Sequence, residues 1–291
     1  WNEKAIQIVA GPCSVESEEQ LFATARGLKK IGIQTLRGGI WKPRSRAHHF
    51  EGVGESGLRW LQRVLQELSM QVAIPGLPLF CGSMHPDLFF VRDVDVNYAG
   101  VVKGRKEEFV RLGLTEKTHY LASTGIQGQI ADSRSLVLLD AYAVDGLQAE
   151  QIRFLHAPEY LNPTYEYGVT FERGTAVEYG DRKHIFISGT ASIDNRGEVV
   201  YPGNIAGQTR RMLLNIEALL KEAGSSLADL AKMIVYLRDI ADYPIVRDLM
   251  EQQFPDVPKV IVLAPVCRPG WLIETECIAI KAGGNPEFRN L

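Results

Sequence analysis

The residues best equipped for chemistry lie near the C-terminus, in the run Val266-Cys267-Arg268-Pro-Gly-Trp-Leu-Ile-Glu274-Thr-Glu276. It brings a thiol, a guanidinium and two carboxylates close together. Glu274 and Glu276 are two apart on an expected strand, so both side chains leave the same face of it. Such a face is either solvated or lines a cleft. In a cleft, burial would raise a glutamate pKa far enough for proton donation at neutral pH. Upstream, Phe171-Glu-Arg173-Gly174 precedes a strand expected over residues 184–188, which runs into Ser188-Gly189-Thr190. Small residues at a strand end let a ligand approach the backbone N–H groups. Ser188 and Thr190, with Arg173 nearby, are therefore candidate substrate contacts.

A second group of reactive residues sits near the N-terminus: Gly11-Pro-Cys13-Ser14, Leu36-Arg37-Gly-Gly39 and Lys42-Pro-Arg44-Ser45. A lysine point charge and an arginine fork suit phosphate or carboxylate oxygens. On spacing alone, Cys13 reads as a small core residue and the cations as a solvated loop. His48-His49 reads as solvated, because the sequence holds no H-x-x-x-H pair. Tyr160, Tyr165 and Tyr167 read as packing residues. Cys81 and Cys277 read as small buried hydrophobes.

These side chains need elements to hold them. Residues 5–10 read as a strand ending in Gly-Pro. Ser17-Glu-Glu-Gln20 has capping-box spacing ahead of Leu21, Ala25 and Leu28 at helical intervals. A second strand is expected over 34–37, a loop over 38–55, and a helix with Leu58, Leu61, Leu65 and Leu68 on one face. A third strand begins at 70–74. The βαβα rhythm then stops at the turn-rich seam Ile74-Pro-Gly-Leu-Pro78. Residues 79–157 are mixed, with strands expected over 119–123 and 136–143. Beyond Gly168 the pattern is α+β: strand 184–188, helix 204–223, strand 232–237, helix 243–254, and strands 259–264 and 271–281. His119–Gly125 and His184–Thr190 echo each other, which suggests a duplicated domain type. The expected division is 1–74, 79–165, 166–282 and a tail over 283–291. The fold class is α+β, a mixed sheet packed by helices, preceded by a partial βαβα segment. The seam falls within a strand, so a recombined or chimeric gene is one expectation.

Composition bounds the partners. The 291 residues are 45% hydrophobic and 23% charged, values of a soluble globular protein. A net charge of −3 gives no electrostatic reason to expect nucleic acid or an anionic membrane. No apolar run approaches the roughly 20 residues of a membrane helix. Four scattered cysteines fit no zinc spacing and point to reduced thiols in a cytoplasmic setting.

The motifs add two resemblances. Ile8-Val-Ala-Gly-Pro-Cys-Ser-Val-Glu-Ser17, Leu36-Arg-Gly-Gly-Ile-Trp-Lys-Pro-Arg-Ser45 and Phe50-Glu-Gly-Val-Gly-Glu-Ser-Gly57 resemble the opening of 3-deoxy-arabino-heptulosonate 7-phosphate synthase, a metal-dependent (β/α)8 barrel. That resemblance implies a metal ligand at Cys13, phosphoenolpyruvate at Lys42 and the sugar phosphate near Arg44, with Arg37 in the same vestigial site. It covers only the first 74 residues. One thiolate is not a metal site and two βα units do not close a barrel, so neither a functional metal nor synthase activity is expected.

Ile185-Phe-Ile-Ser-Gly-Thr190, Gln208-Thr209, Ile234-Val-Tyr-Leu-Arg-Asp-Ile-Ala-Asp-Tyr243 and Ile273-Glu-Thr-Glu-Cys-Ile-Ala279 resemble the Rid (YjgF) superfamily. Ser188–Ile193 with Cys267-Arg268 and Leu272–Glu276 resemble its chorismatase branch, which carries a degenerate Rid-like first half. That branch implies Glu274 or Glu276 as the acid that protonates an enol-pyruvyl ether. It also implies Arg173 and Arg268 as carboxylate clamps, and Cys267 in the pocket wall. The alternative branch, imine deaminases, implies a carboxylate-binding arginine where this chain has Lys259. A third expectation is a metabolite-binding protein without turnover. All three imply a small carboxylated molecule as partner and no cofactor; the superfamily further implies a homotrimer.

Overall fold

The computed structural model describes residues 9–40, 53–73, 84–128, 135–144 and 146–290. Lys42, Arg44 and Cys81 lie outside the described residues. The chain divides into two compact units, Trp1–Pro78 with Ile130–Arg134, and Leu79–Gln129 with Ser135–Leu291.

In the first unit β1 (Val9–Ala10), α1 (Glu18–Lys30), β2 (Thr35–Arg37), α2 (Glu55–Leu68) and β3 (Gln71–Ala73) alternate. The three strands form an open parallel sheet in the order β1-β2-β3, not a closed barrel. Ser17 caps α1 by accepting the Gln20 N–H at 3.2 Å, while the Gln20 side chain accepts the Glu16 N–H at 2.9 Å. Leu21, Ala25, Leu36, Leu61 and Val64 fill its core. Leu65, expected on the buried face of α2, is instead 51% exposed, because Val64 takes that place. At Gly11 a Cβ would meet the Arg37 carbonyl oxygen at 2.0 Å, so β1 and the end of β2 can approach only through glycine.

The second unit holds β4 (Met84–Val91), α3 (Val94–Arg111), β5 (Ser123–Gln127), β6 (Val137–Ala143), β7 (Ile152–Phe154), β8 (Gly174–Glu178), β9 (Arg182–Ala191), α4 (Ile205–Glu222), β10 (Leu230–Leu237), α5 (Tyr243–Gln253), β11 (Lys259–Leu263) and β12 (Ile273–Ala282). They build a three-stranded sheet, β5-β4-β6, and a six-stranded sheet, β11-β10-β12-β9-β8-β7.

One part repeats another. Strands β10 and β11 are parallel, joined through α5, with β12 antiparallel on the other side of β10. Strands β4 and β5 are parallel, joined through α3, with β6 antiparallel on the other side of β4. The pairing pattern is thus repeated, with β5 and β11 as counterparts. The echoing strings, 119–125 and 184–190, are not counterparts. They abut instead: Ser123 N–H donates to Ser188 Oγ at 2.9 Å, and Gly189 N–H to Thr124 Oγ1 at 2.9 Å.

Helix α4 packs Met212, Leu213, Ile216, Leu219 and Leu220 on Ile185, Ile187, Val235, Ile273 and Cys277 of the large sheet. Its cap, Asn204, accepts the Gly207 N–H at 2.8 Å. The fully buried Asn215 donates to the Ala191 and Ile193 carbonyls at 3.1 and 2.9 Å, which fixes the end of β9. Arg238 grips Asp95 at the start of α3 with two bonds of 3.1 and 3.2 Å. Ile216→Ala removes a fully buried side chain beneath the sheet and is expected to cost about 2–5 kcal/mol. Urea unfolding followed by circular dichroism reads this as a lower midpoint for the second unit.

Candidate active site

Ile273, Cys277 and Ala279 of β12 enter the core under α4, so alternation turns Glu274 and Glu276 to the opposite face. There Thr124 of β5 and Asp140 of β6 face Glu276. Glu274 is thus buried and Glu276 half-buried. Against β9 the register slips: Thr275 opposes Thr190 and Cys277 opposes Ile187, so Ser188 and Gly189 together face Glu276. This bulge brings the backbone of Gly189 against the neighbouring acid. A Cβ there would lie 1.9 Å from Glu274 Oε1 and 2.9 Å from Thr124 Cγ2. Only glycine fits.

Glu274 closes the floor of a small recess of about 20 Å³. Ser123 and Gly125 of β5, Gly189 of β9 and Cys267 form its sides with Tyr98 of α3, and Tyr167, Phe171, Arg268 and Trp271 surround the rest. Glu274 is 2% exposed, and its Oε2 has no hydrogen-bond partner. Burial pushes its pKa up to about 8; repulsion from Glu276 adds to this and the Arg173 guanidinium opposes it. At neutral pH Glu274 is a protonated acid with an unused oxygen at the recess. Cys267 donates its S–H to the Gly125 carbonyl at 2.7 Å, and burial pushes the thiol far up, so it stays neutral. Burial likewise raises Tyr98, and Tyr167 to about 12.

Two more buried polar atoms at the recess make no aligned hydrogen bond: Tyr167 Oη and Trp271 Nε1. Each orphan costs about 1–3 kcal/mol. A ligand with oxygen acceptors relieves both at once. Arg268 stands exposed over them, its guanidinium carbon 5.0 Å from the Tyr167 ring centroid and 5.6 Å from that of Trp271. Arg173 is 4% exposed and stands over Tyr167 and Phe171. It donates through Nε and Nη2 to the Asn162 carbonyl at 3.2 and 2.9 Å and to Asn162 Oδ1 at 3.2 Å. Phe171 and Arg173 also border a wider outer cavity of about 340 Å³, where His119, His156 and Glu172 take part in the wall.

Of the residues singled out from sequence, Glu274, Cys267 and Arg268 meet at the recess, with Arg173 beside Tyr167 and Phe171. Glu276 lies behind Glu274 rather than in the lining. Ser188 and Thr190 serve the backbone: Ser188 Oγ donates to the Glu172 carbonyl, and Thr190 Oγ1 to the Ser188 carbonyl at 2.8 Å. Lys259 sits on the edge strand β11, where Nζ donates to the Phe254 carbonyl at 2.9 Å and pairs with Glu251 at 3.1 Å. In the other unit, Cys13 is exposed with Arg37 Nη2 4.0 Å from its sulfur. Among the described residues no group of three or more His, Cys, Asp or Glu is placed to hold a metal.

Sequence reasoning missed Tyr98, Gly189 as the contact point, and Trp271, and it assigned Tyr167 to packing. Helix α3 was not expected at all. Trp271 carried a signal, since a buried indole N–H needs a partner. No spacing argument reaches Tyr98.

A family model described as Endoribonuclease L-PSP matches residues 174–281, and one described as DAHP synthetase I family matches residues 2–88. The phospho-2-dehydro-3-deoxyheptonate aldolase of Thermotoga maritima is 44% identical over 70 residues, 24% of this chain. The match spans 21% of that relative's length. A RutC family protein of Pyrococcus abyssi is 37% identical over 99 residues, 33% of this chain and 78% of the relative. The 3-hydroxybenzoate synthase of Streptomyces hygroscopicus is 30% identical over 200 residues, 63% of this chain and 57% of that protein. A chorismatase crystal structure superimposes with a TM-score of 0.57 at 20% identity, covering 77% of this chain and 69% of that one, which is a likeness of fold.

Gly189→Ala is expected to displace Glu274 and cost about 1–3 kcal/mol through overpacking, read as a lower urea midpoint. Glu274 is protonated when folded and ionised when unfolded between about pH 5 and 8. Its contribution to stability is therefore full at low pH and lost as pH rises through that window. Glu274→Gln should gain stability relative to the native chain between pH 5 and pH 8. Melting curves across that range check the sign.

Proposed function

Because the chain belongs, through its C-terminal part, to the RutC family with its Endoribonuclease L-PSP domain, we propose that it is an enzyme of that fold acting on a small carboxylated metabolite by chorismatase-like cleavage of an enol-pyruvyl ether. The observation that carries this reading is the protonated carboxyl of Glu274, buried at the recess with one oxygen unpartnered.

Glu274 donates its proton to the terminal enol carbon, and the ether carbon becomes an oxocarbenium ion. Water adds to that carbon and returns a proton to the Glu274 carboxylate. The resulting hemiketal collapses, breaking the C–O bond and releasing pyruvate and the ring alcohol. Arg268 is the cation at the recess available to a substrate carboxylate, with the Trp271 and Tyr167 donors beside it, while Arg173 borders the outer cavity and holds Asn162. The neutral Cys267 and Tyr98 wall the recess without adding charge. Imine deamination is less well supported, since Lys259 is committed to Phe254 and Glu251 and lies outside the recess lining.

Incubation with chorismate should bleach its absorbance and release stoichiometric pyruvate. Glu274→Gln should lower that rate by about 100-fold or more. The absence of turnover by the native chain at micromolar concentration would overturn the assignment.

A further inference from the structure

We propose that Glu276 is a positioning residue for Glu274: its carboxylate, held in the covered layer between the two sheets, keeps the working proton on its neighbour. This deepens the reading above and rests on Glu274 as the acid.

The argument starts from the two environments. Glu274 is faced by Arg173 from the segment before β8, Tyr236 of β10, Tyr98 of α3, Tyr167, and Cys267 and Arg268 from the segment before β12. Among these described groups Glu276 alone is an acid, and it acts on Glu274 through space as a like charge. Arg173, the cation that opposes it, has two of its nitrogens committed to Asn162.

Glu276 has the better support for a negative charge. Thr124 of β5, Tyr236 of β10 and Lys232 of β10 all favour its ionised form, and Asp140 of β6 opposes them. Burial dominates and raises its pKa as well. Two acids this close, both desolvated, titrate as a pair and share one proton over the neutral range. The supports divide that pair unevenly: Thr124 and Lys232 stand at Glu276, while Glu274 has an oxygen without a partner. The proton therefore resides on Glu274, where the recess opens. The β-bulge fixes this arrangement, because Ser188 and Gly189 together face Glu276 and leave Glu274 Oε1 room beside Gly189.

The test is a pH titration of the full chain by difference infrared spectroscopy, with Glu274→Gln used to assign the carboxyl C=O band of Glu274. Glu276→Gln should move the midpoint of that band to lower pH by about one pH unit or more, the size expected for losing a nearby charge in a poorly screened site. Glu276→Asp, which keeps the charge but retracts it by one methylene, should move it in the same direction by less. It also supplies the measurement if the glutamine variant fails to fold. A midpoint unchanged in the variant that folds overturns the proposal. If chorismate is turned over, the alkaline limb of kcat should shift with the band. If it is not, a shifted band still supports the coupling and only the reaction assignment fails.

Discussion

The second unit is organised around one constraint, a carboxyl group buried at the meeting of two sheets without a hydrogen-bond partner for one of its oxygens. Glu274 can occupy that place only because Gly189 has no side chain and the register slip in β9 brings its backbone forward. Removing a charge from water in such a place is costly, so the group stays protonated instead. Its chemistry and its strain on the fold are the same fact. Ser188, Thr190 and Thr124 contribute by tying the backbones around it, which lets β5 lie close to the end of β9.

The repeated topology explains who covers the acid. The β10-α5-β11-β12 arrangement supplies Glu274 and Glu276, and its copy, β4-α3-β5-β6, supplies Tyr98, Ser123, Gly125 and Thr124 from the other side. The likeness to the L-PSP domain lies in residues 174–281, while the recess also requires residues from the copy. The first unit contributes a different motif set. Its three described parallel strands and the Cys13–Arg37 pair reproduce the start of the DAHP synthetase pattern and no closed barrel.

Much of the large sheet was legible from periodicity. The helix expected over 204–223 is α4, which buries one face, and the strand expected over 271–281 is β12, whose Ile273, Cys277 and Ala279 alternate into the core. The copy was not legible. Its helix α3 buries Val94 and Phe109 but leaves Val96 and Val110 exposed at 78% and 60%, so no apolar stripe marks it. The strand expected over 119–123 lies instead at Ser123–Gln127, since the Tyr120 N–H is taken by the Glu172 carboxylate at 2.8 Å. At the site, the pairing of Glu274 with Glu276 followed from their spacing. Which of them reaches the recess did not, because that depends on a bulge in another strand and on cover from β5. The thiol and guanidinium of Cys267 and Arg268 were visible as neighbours, whereas Trp271 and Tyr167 gained significance only through their unsatisfied polar atoms.

The most direct measurement of the central claim is a crystal structure of the chain bound to an unreactive analogue that keeps the enol-pyruvyl ether and both carboxylates of the substrate. The account predicts the terminal enol carbon within contact of Glu274 Oε2, with carboxylate oxygens on Arg268 and the Trp271 N–H. An analogue bound away from Glu274, for instance confined to the outer cavity beside His119 and His156, would contradict it.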